Sequence, residues 1–267
     1  MSKTNKFIVW CVLVAVTSFW MWAGVQVWLR GSLFQIHSIL NIAITSILFV
    51  VLLALLSVGI IIFQNRLWST YLGIIVGVTY SILFKISNLN LVGMFILVML
   101  FYYAQDVVHR EMRERLKLNS QAFIRKGLTN FIVAFFILAS FAAYQSPAIE
   151  SFKNIEQLPS SGTSFIRGVV EKTVEAQIGD SATKEQKASA ADQVTKEIVA
   201  KANEFFGPYF QYAPPVLAFG LFLVLWGVGW IFNLLALPLG MLIFYVLKKT
   251  NFFRIEERDV RAESIII

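Results

Sequence analysis

The chain has 267 residues, of which 57% are hydrophobic and only 15% are charged, with a formal net charge of +7. Soluble domains carry about 25% charged residues, so this composition argues against an ordinary soluble domain. A single cysteine excludes an intrachain disulfide framework, and the wide separation of His37 and His109 argues against a metal site built from histidine and cysteine. We therefore expect no metal and no cofactor.

Residues 1–105 are predicted to form a block of four transmembrane helices. Its four apolar runs, each near the ~20 residues that cross a bilayer, lie at 7–29, 38–63, 67–84 and 89–105. The polar turns between the later runs are short, so neighbouring helices should be antiparallel. The first run could be read as a signal peptide, but bulky Trp20, Trp22 and Trp28 stand where a cleavage site needs small residues. We predict an uncleaved span.

The third run contains a pair of small residues one helical turn apart, Gly73 and Gly77. Such a pair lets two helices approach closely and is a candidate helix-packing face. Packing against a neighbour in the same chain is the ordinary use of this pattern. Homodimerisation through the same face is the alternative.

Residues 106–127 are predicted to form a basic amphipathic elbow between the fourth and fifth spans. The pairs Asp106/Arg110 and Glu111/Arg115 have i,i+4 spacing with the acid first, which favours a helix, and Asn119-Ser120 is the expected break before a second helix. Cationic segments beside membrane spans stay on the cytoplasmic side. The elbow is either an ordinary cytoplasmic loop or a surface that binds anionic inner-leaflet lipids. Its basic residues are Arg110, Arg113, Arg115, Lys117, Arg125 and Lys126.

Residues 128–144 are the predicted fifth span, and residues 145–215 are a polar segment that differs from all the others. An apolar period of about 3.6 over 165–178 predicts one helix. A capping-box pattern, Thr183-x-x-Gln186, predicts the start of a second helix that ends near Phe206. The expected structure is a helical hairpin with its turn at 179–182. Two helices of this size bury little surface by themselves, so we expect them to pack on another surface.

Residues 216–247 form the last apolar run. As one straight helix the run would measure about 48 Å, well over the ~30 Å hydrocarbon core. Asn233 and Pro238 mark a candidate kink or pore position, because an internal proline removes a backbone hydrogen bond. We expect one long kinked span, and the alternative is a span followed by a re-entrant or interfacial piece at 237–247. Residues 248–267 form a polar tail.

The predicted fold is therefore an all-α, polytopic integral membrane protein. Six transmembrane helices carry an extracytoplasmic helical hairpin between the fifth and the sixth. Lysine and arginine are concentrated in the short segments on the side of the elbow, which places both termini in the cytoplasm. We expect a multi-pass protein of the plasma membrane in contact with the lipid bilayer. The net positive charge is explained by this bias, so no nucleic-acid partner is expected.

The sequence lacks the residue patterns that are typical of catalytic sites and of proton paths. No ionisable residue falls near the middle of a predicted span, which argues against a proton path, and the common phosphate-loop, zinc-protease and serine-hydrolase motifs do not occur. We assign no catalytic residue and expect a protein that is not an enzyme. Neutral polar residues inside the spans either form hydrogen bonds between helices or line a hydrated path. They include Gln26, Asn41, Thr45, Ser46, Ser57, Thr79, Asn90, Asn130 and Asn233.

Two functions fit these patterns. The first is an accessory or scaffold subunit that docks a protein partner, or a second copy, through the extracytoplasmic hairpin. The second is a channel or facilitator for a neutral or weakly charged solute, with the Asn233–Pro238 stretch at its centre. An unwound or kinked helix is tolerated at membrane depth where it lines a cavity.

Overall fold

A computed structural model describes residues 2–30, 39–84, 86–114, 119–150, 166–170, 184–206 and 212–253. This part of the chain is all-helical. In chain order its helices are α1 (Lys3–Arg30), α2 (Ile39–Ile62), α3 (Arg66–Phe84), α4 (Asn88–Glu114), α5 (Ser120–Tyr144), α6 (Pro147–Glu150), α7 (Lys184–Phe206) and α8 (Ala213–Lys249). Residues 166–170 are also helical.

The chain divides into two compact units. The bundle unit contains Met1–Ser146 and Ala218–Ile267, and the inserted unit contains Pro147–Leu217. Six helices, α1 to α5 and α8, are long and apolar enough to cross a membrane. This confirms, for the described residues, the prediction of an all-helical fold with six candidate spans. The predicted loop at 31–38 and the tail at 254–267 lie outside the described residues.

In the bundle unit, α1 to α5 pack around a core of large aromatic and aliphatic side chains. Phe101 of α4 and Phe131 of α5 lie with their ring centroids 4.6 Å apart. The aromatic side chains that are less than 2% exposed are Trp22, Tyr80, Phe101, Phe123, Phe131 and Phe135. Because rings of this size fill the space between the helices, the interior of the bundle is a packed core.

Small residues mark the places where two helices come closest. A Cβ atom at Gly93 of α4 would lie 2.8 Å from Leu138 Cδ2 of α5. A Cβ atom at Gly24 of α1 would lie only 2.2 Å from Thr45 Oγ1 of α2. A larger side chain at either position would push the helices apart.

The described part of the elbow continues the flanking helices. α4 runs on to Glu114, so Asp106 and Arg110 lie on the same helix as the fourth apolar run. The predicted break is confirmed, because α5 begins at Ser120 and the Asn119 side chain accepts a hydrogen bond from the Ala122 backbone N–H at 3.1 Å. α5 has 25 residues. The span predicted at 128–144 is shorter than this helix. The first two turns of α5 contain polar residues, which hydropathy does not count as part of a span.

α8 is a single helix of 37 residues that continues through Pro238 without interruption. The stretch at 237–247 therefore continues the same helix. The helix is about 55 Å long, so it exceeds the ~30 Å apolar thickness of a bilayer. It runs antiparallel to α5, because Gly229 lies against Phe136 while Gly240 lies against Ile124.

Candidate functional site

Several polar residues inside the spans form hydrogen bonds to other helices. Ser18 and Thr79 join α1 to α3 through their hydroxyl groups at 2.7 Å. The Gln26 side-chain amide donates to the backbone carbonyl of Leu83, and the Gln105 side-chain amide of α4 donates to the Ile60 carbonyl at 3.2 Å. The hydrogen-bonding interpretation is therefore confirmed for Gln26 and Thr79.

The most connected of these groups joins α3, α4 and α5. The Tyr80 hydroxyl donates to Asn90 Oδ1 at 2.7 Å, and the Gln145 side-chain amide donates to the same oxygen at 2.8 Å. The Ser87 hydroxyl donates to Gln145 Oε1 at 2.8 Å. Tyr80 and Asn90 are almost fully buried. A buried amide oxygen that accepts two such bonds satisfies both of its lone pairs, so this network stabilises the three-helix junction.

Positive charge collects at one end of the bundle, here called the basic end, where α1 and α3 begin and α4 finishes. Asp106 of α4 is 8% exposed and accepts from both Arg66 of α3 and Arg110 of α4. This confirms the predicted Asp106/Arg110 pair. Arg66 also donates to the Tyr102 hydroxyl at 2.9 Å. The carboxylate therefore links two helices while both guanidinium groups face the surroundings.

A polar groove of about 570 Å³ lies at the basic end between α4 and α5. Its walls include Arg125, Lys126, Asn130 and Glu111. Lys126 pairs with Glu111 at 3.5 Å, so one positive charge of the groove has a partner within the chain. Arg110, Arg113, Arg125 and Lys126 are exposed, as a lipid-contacting role requires. Arg115 and Lys117 lie outside the described residues.

Gly73 and Gly77 of α3 both lie against α4. A Cβ atom at Gly73 would be 3.3 Å from Phe101, and one at Gly77 would be 3.1 Å from Met94. Both glycines are buried. This face of α3 is therefore occupied by a neighbour in the same chain.

One face of α8 presents small residues to α5. A Cβ atom at Gly229 would lie 3.2 Å from Phe136 of α5, and one at Gly240 would lie 3.3 Å from Ile124 of α5. Ala236, between them on the same face, is fully buried. Gly220 and Gly227 lie about half a turn away, on the opposite face of α8, where nothing lies within 4 Å of an added Cβ atom. The face that carries Gly229, Ala236 and Gly240 therefore contacts the bundle, and the opposite face points away from it.

A cavity of about 330 Å³ opens between α1, α2, α5 and α8. We call it the far-end pocket, because it lies toward the end of the bundle opposite the basic end. The lining residues that the structure describes include no ionisable side chain. They are Met21, Trp22, Gly24, Val25, Val27, Trp28, Asn41, Ile42, Thr45, Ser46, Phe49, Phe135, Phe136, Ala139, Leu225, Val228 and Phe232.

The far-end pocket ends on an aromatic floor. The Phe49 ring lies 5.3 Å from Phe135 and 4.9 Å from Phe232, and the Trp22 ring lies 5.7 Å from Phe135. Phe136 completes the group at 6.0 Å from Phe232. These centroid distances are those of rings in mutual contact. The floor therefore closes the pocket toward the middle of the bundle.

Polarity changes along the depth of the pocket. On α2, Asn41 lies at the shallow end, Thr45 and Ser46 follow, and Phe49 belongs to the floor. Asn41 and Phe49 are separated by about 12 Å along the helix axis. The Thr45 hydroxyl donates to the Asn41 carbonyl at 2.8 Å. The pocket thus offers polar groups near its shallow end and rings at its base.

Asn233 and Pro238 have different surroundings. Pro238 is exposed on α8. Asn233 is half-buried, and its Oδ1 atom is buried without a hydrogen-bond partner among the described residues. Asn233 does not line the far-end pocket, although its neighbour Phe232 does. The structure therefore does not place these two predicted residues together around one cavity.

In the inserted unit, the structure describes two helical stretches, 166–170 and α7. Arg167, in the helical residues 166–170, forms an ion pair with Asp192 of α7 at 2.9 Å. The buried face of α7 includes Ala191 and Thr195, whereas Ile198 is 41% exposed. The predicted turn at 179–182 and the capping-box residue at 183 lie outside the described residues.

Sequence reasoning did not find the far-end pocket, since its walls come from four helices that are distant in the chain. Phe49, Phe135 and Phe232 look like ordinary span residues in the sequence. Asn41, Thr45 and Ser46 were recognised as polar span residues, but nothing in the sequence joined them to those rings. The described residues hold no group of three or more His, Cys, Asp or Glu side chains suited to a metal ion. Comparison with protein-family models, curated proteins and solved structures finds no match for this chain.

Proposed function

We propose that this chain is a multi-pass protein of the plasma membrane whose basic end faces the cytoplasm. The support is the apolar surface of its candidate spans. Outward-facing side chains such as Ile82 of α3, Phe95 of α4 and Trp230 of α8 are more than 60% exposed. Soluble monomers rarely expose large contiguous apolar surface, whereas a bilayer covers it. Arg66, Arg110 and Arg125 at one end follow the positive-inside rule, which gives cytoplasmic termini and an extracytoplasmic inserted unit.

Within that membrane, the protein acts as a non-enzymatic accessory or scaffold subunit that docks a protein partner through residues 145–215. The observation that carries this proposal is the exposure of apolar residues on the inserted unit. Val194 and Ile198 of α7 are 40% and 41% exposed, and Val169 is 50% exposed. At a spacing of four residues, Val194 and Ile198 lie on one face of α7. An exposed apolar face on a polar, charged segment is typical of an interaction surface.

Two matched double variants test the docking surface. Val194→Asp with Ile198→Asp places two charges on the exposed apolar face. Gln193→Asp with Ala200→Asp adds the same charge to the opposite, exposed face of the same helix. Cross-linking and affinity purification of the full chain from native membranes should recover a stoichiometric partner with wild type and with the control pair only. Recovery that is unchanged in the apolar-face variant, and also after deletion of residues 163–207, would contradict the proposal.

A second candidate, a channel or facilitator for a neutral or weakly charged solute, is favoured by one observation. The Asn233 Oδ1 atom is buried without a partner among the described residues, and a buried polar atom of this kind is costly unless water or a solute contacts it. Asn233→Leu should then abolish glycerol flux into proteoliposomes while the protein stays folded. Leu234→Ala, at a 61% exposed neighbouring position, is the control. Equal flux in wild type, both variants and protein-free vesicles would eliminate this function.

A further inference from the structure

We propose that the far-end pocket binds a single acyl chain of a membrane lipid, which enters from the bilayer beside α8. This inference rests on the membrane insertion proposed above. It does not depend on docking through the inserted unit, because it concerns the bundle unit alone.

The edge of the pocket at α8 provides the entrance. Gly229 and Gly240 of this helix lie against Phe136 and Ile124 of α5. On the preceding turn, Leu225 and Val228 line the pocket, and Val228 is also 37% exposed. The pocket is therefore bordered on one side by a lining residue that is reached from outside the bundle.

The chemistry of the walls selects the occupant. The described lining has no charged group, so an ionised ligand would lose its hydration without compensation. An acyl chain has no such cost, and its methyl end would lie on the Phe49, Phe135 and Phe232 rings. The ester group of the same lipid is an uncharged hydrogen-bond acceptor. It would lie near the polar side chains of Asn41, Thr45 and Ser46 at the shallow end.

The volume suits a slender apolar occupant. The pocket offers about 330 Å³, which lies at the lower end of the range of small-molecule sites, about 300–1,000 Å³. A single chain fits this space. In a bilayer, filling the pocket restores the dispersion contacts that an empty cavity would forfeit.

Photolabelling of the purified full chain tests the proposal. The protein is reconstituted into vesicles of phosphatidylethanolamine and phosphatidylglycerol that contain a trace of phosphatidylcholine with a diazirine at one acyl terminus. After irradiation, adducts are mapped by mass spectrometry. Bulk lipid should label outward-facing residues such as Phe95. A bound chain should also label Phe49 and Phe135, which are 7% and 2% exposed and therefore closed to bulk lipid.

Two substitutions of the same residue type on α8 provide the matched comparison. Leu225 lines the pocket, whereas Leu223 is 50% exposed and lies two positions away, on the opposite face of the helix. Leu225→Trp should fill the pocket and abolish the adducts on Phe49 and Phe135. Leu223→Trp should leave those adducts at the wild-type level. Labelling of Phe95 reports that each variant is folded and inserted.

If Leu225→Trp fails to fold, Ala139→Leu fills the pocket from α5 instead. The proposal is overturned if wild type shows adducts on Phe95 but none on Phe49 or Phe135. It is equally overturned if the pocket variant and the Leu223→Trp control lose, or keep, the deep adducts together. Since no partner protein is present, the outcome is independent of docking by the inserted unit.

Discussion

α5 and α8 are both apolar helices of the bundle unit, but they have opposite surroundings. In the most apolar 18-residue window of α5, 61% of the residues are buried, against 11% for α8. α5 has neighbours on several sides, whereas α8 presents Trp226, Trp230 and Leu234 outward, each at about 60% exposure or more. Apolar composition alone therefore does not decide what a helix packs against. The difference arises from the positions of small and large residues.

The largest expected difference between the two helices concerns phenylalanine. Phe131→Ala in α5 removes a fully buried ring that contacts Phe101. We expect it to lower the free energy of unfolding by about 3–5 kcal/mol, because the surrounding helices cannot close the cavity. Phe219→Ala in α8, at 60% exposure, should change it little. Unfolding by SDS in mixed micelles measures both, and equal losses would show that α8 is as enclosed as α5.

A smaller difference is expected from glycine positions. Gly93→Leu inserts a side chain where a Cβ atom already lies 2.8 Å from Leu138 and 2.9 Å from Phe141. Overpacking should lower the free energy of unfolding by about 1–3 kcal/mol. Gly227→Leu in α8 meets open space and should be neutral or slightly stabilising, because leucine favours a helix over glycine. The same unfolding assay checks the pair, and a destabilised Gly227→Leu would reveal a neighbour that covers α8.

The smallest difference concerns tyrosine hydroxyl groups. Tyr80→Phe removes a buried donor to Asn90 Oδ1, which keeps its bond from the Gln145 amide. We expect a loss of about 1 kcal/mol, the typical net contribution of one hydrogen bond. Tyr245→Phe, at 62% exposure on α8, should have no measurable effect. A neutral Tyr80→Phe would show that the network does not stabilise the junction.

Much of the helical architecture was predictable. The apolar runs placed six helices, since crossing a bilayer requires a minimum length of apolar residues. The Asn119 cap and the Asp106/Arg110 pair were also predicted, because both are local interactions whose partners are at most four residues apart. The end of α4 at Glu114 and the polar first turns of α5 were not predicted as parts of those helices. Hydropathy locates the apolar core of a span but not the helix that extends beyond it.

The candidate site was much less predictable. Asn233 was predicted to mark a kink or pore because it is a polar residue in an apolar run. It lies outside the far-end pocket, which its neighbour Phe232 helps to form. On α7, Ala191 and Val194 are three residues apart and so lie on one side of the helix, yet Ala191 is buried while Val194 is 40% exposed. A 3.6-residue period fixes which residues share a face only to within about a quarter of a turn. Neighbouring elements decide which edge of that face is covered.

The sequence by itself determined the number of apolar helices, the basic end and the polar inserted segment, because composition and local spacing carry this information. Only the tertiary structure decided that α8 turns Gly229 and Gly240 toward α5 and borders a pocket with an aromatic floor beside α1, α2 and α5. The physical reason is that a helix contact depends on the side chains of both partners. The aromatic side chains of the pocket come from four helices, and no single stretch of sequence shows that they are in contact. They are Trp22, Phe49, Phe135 and Phe232.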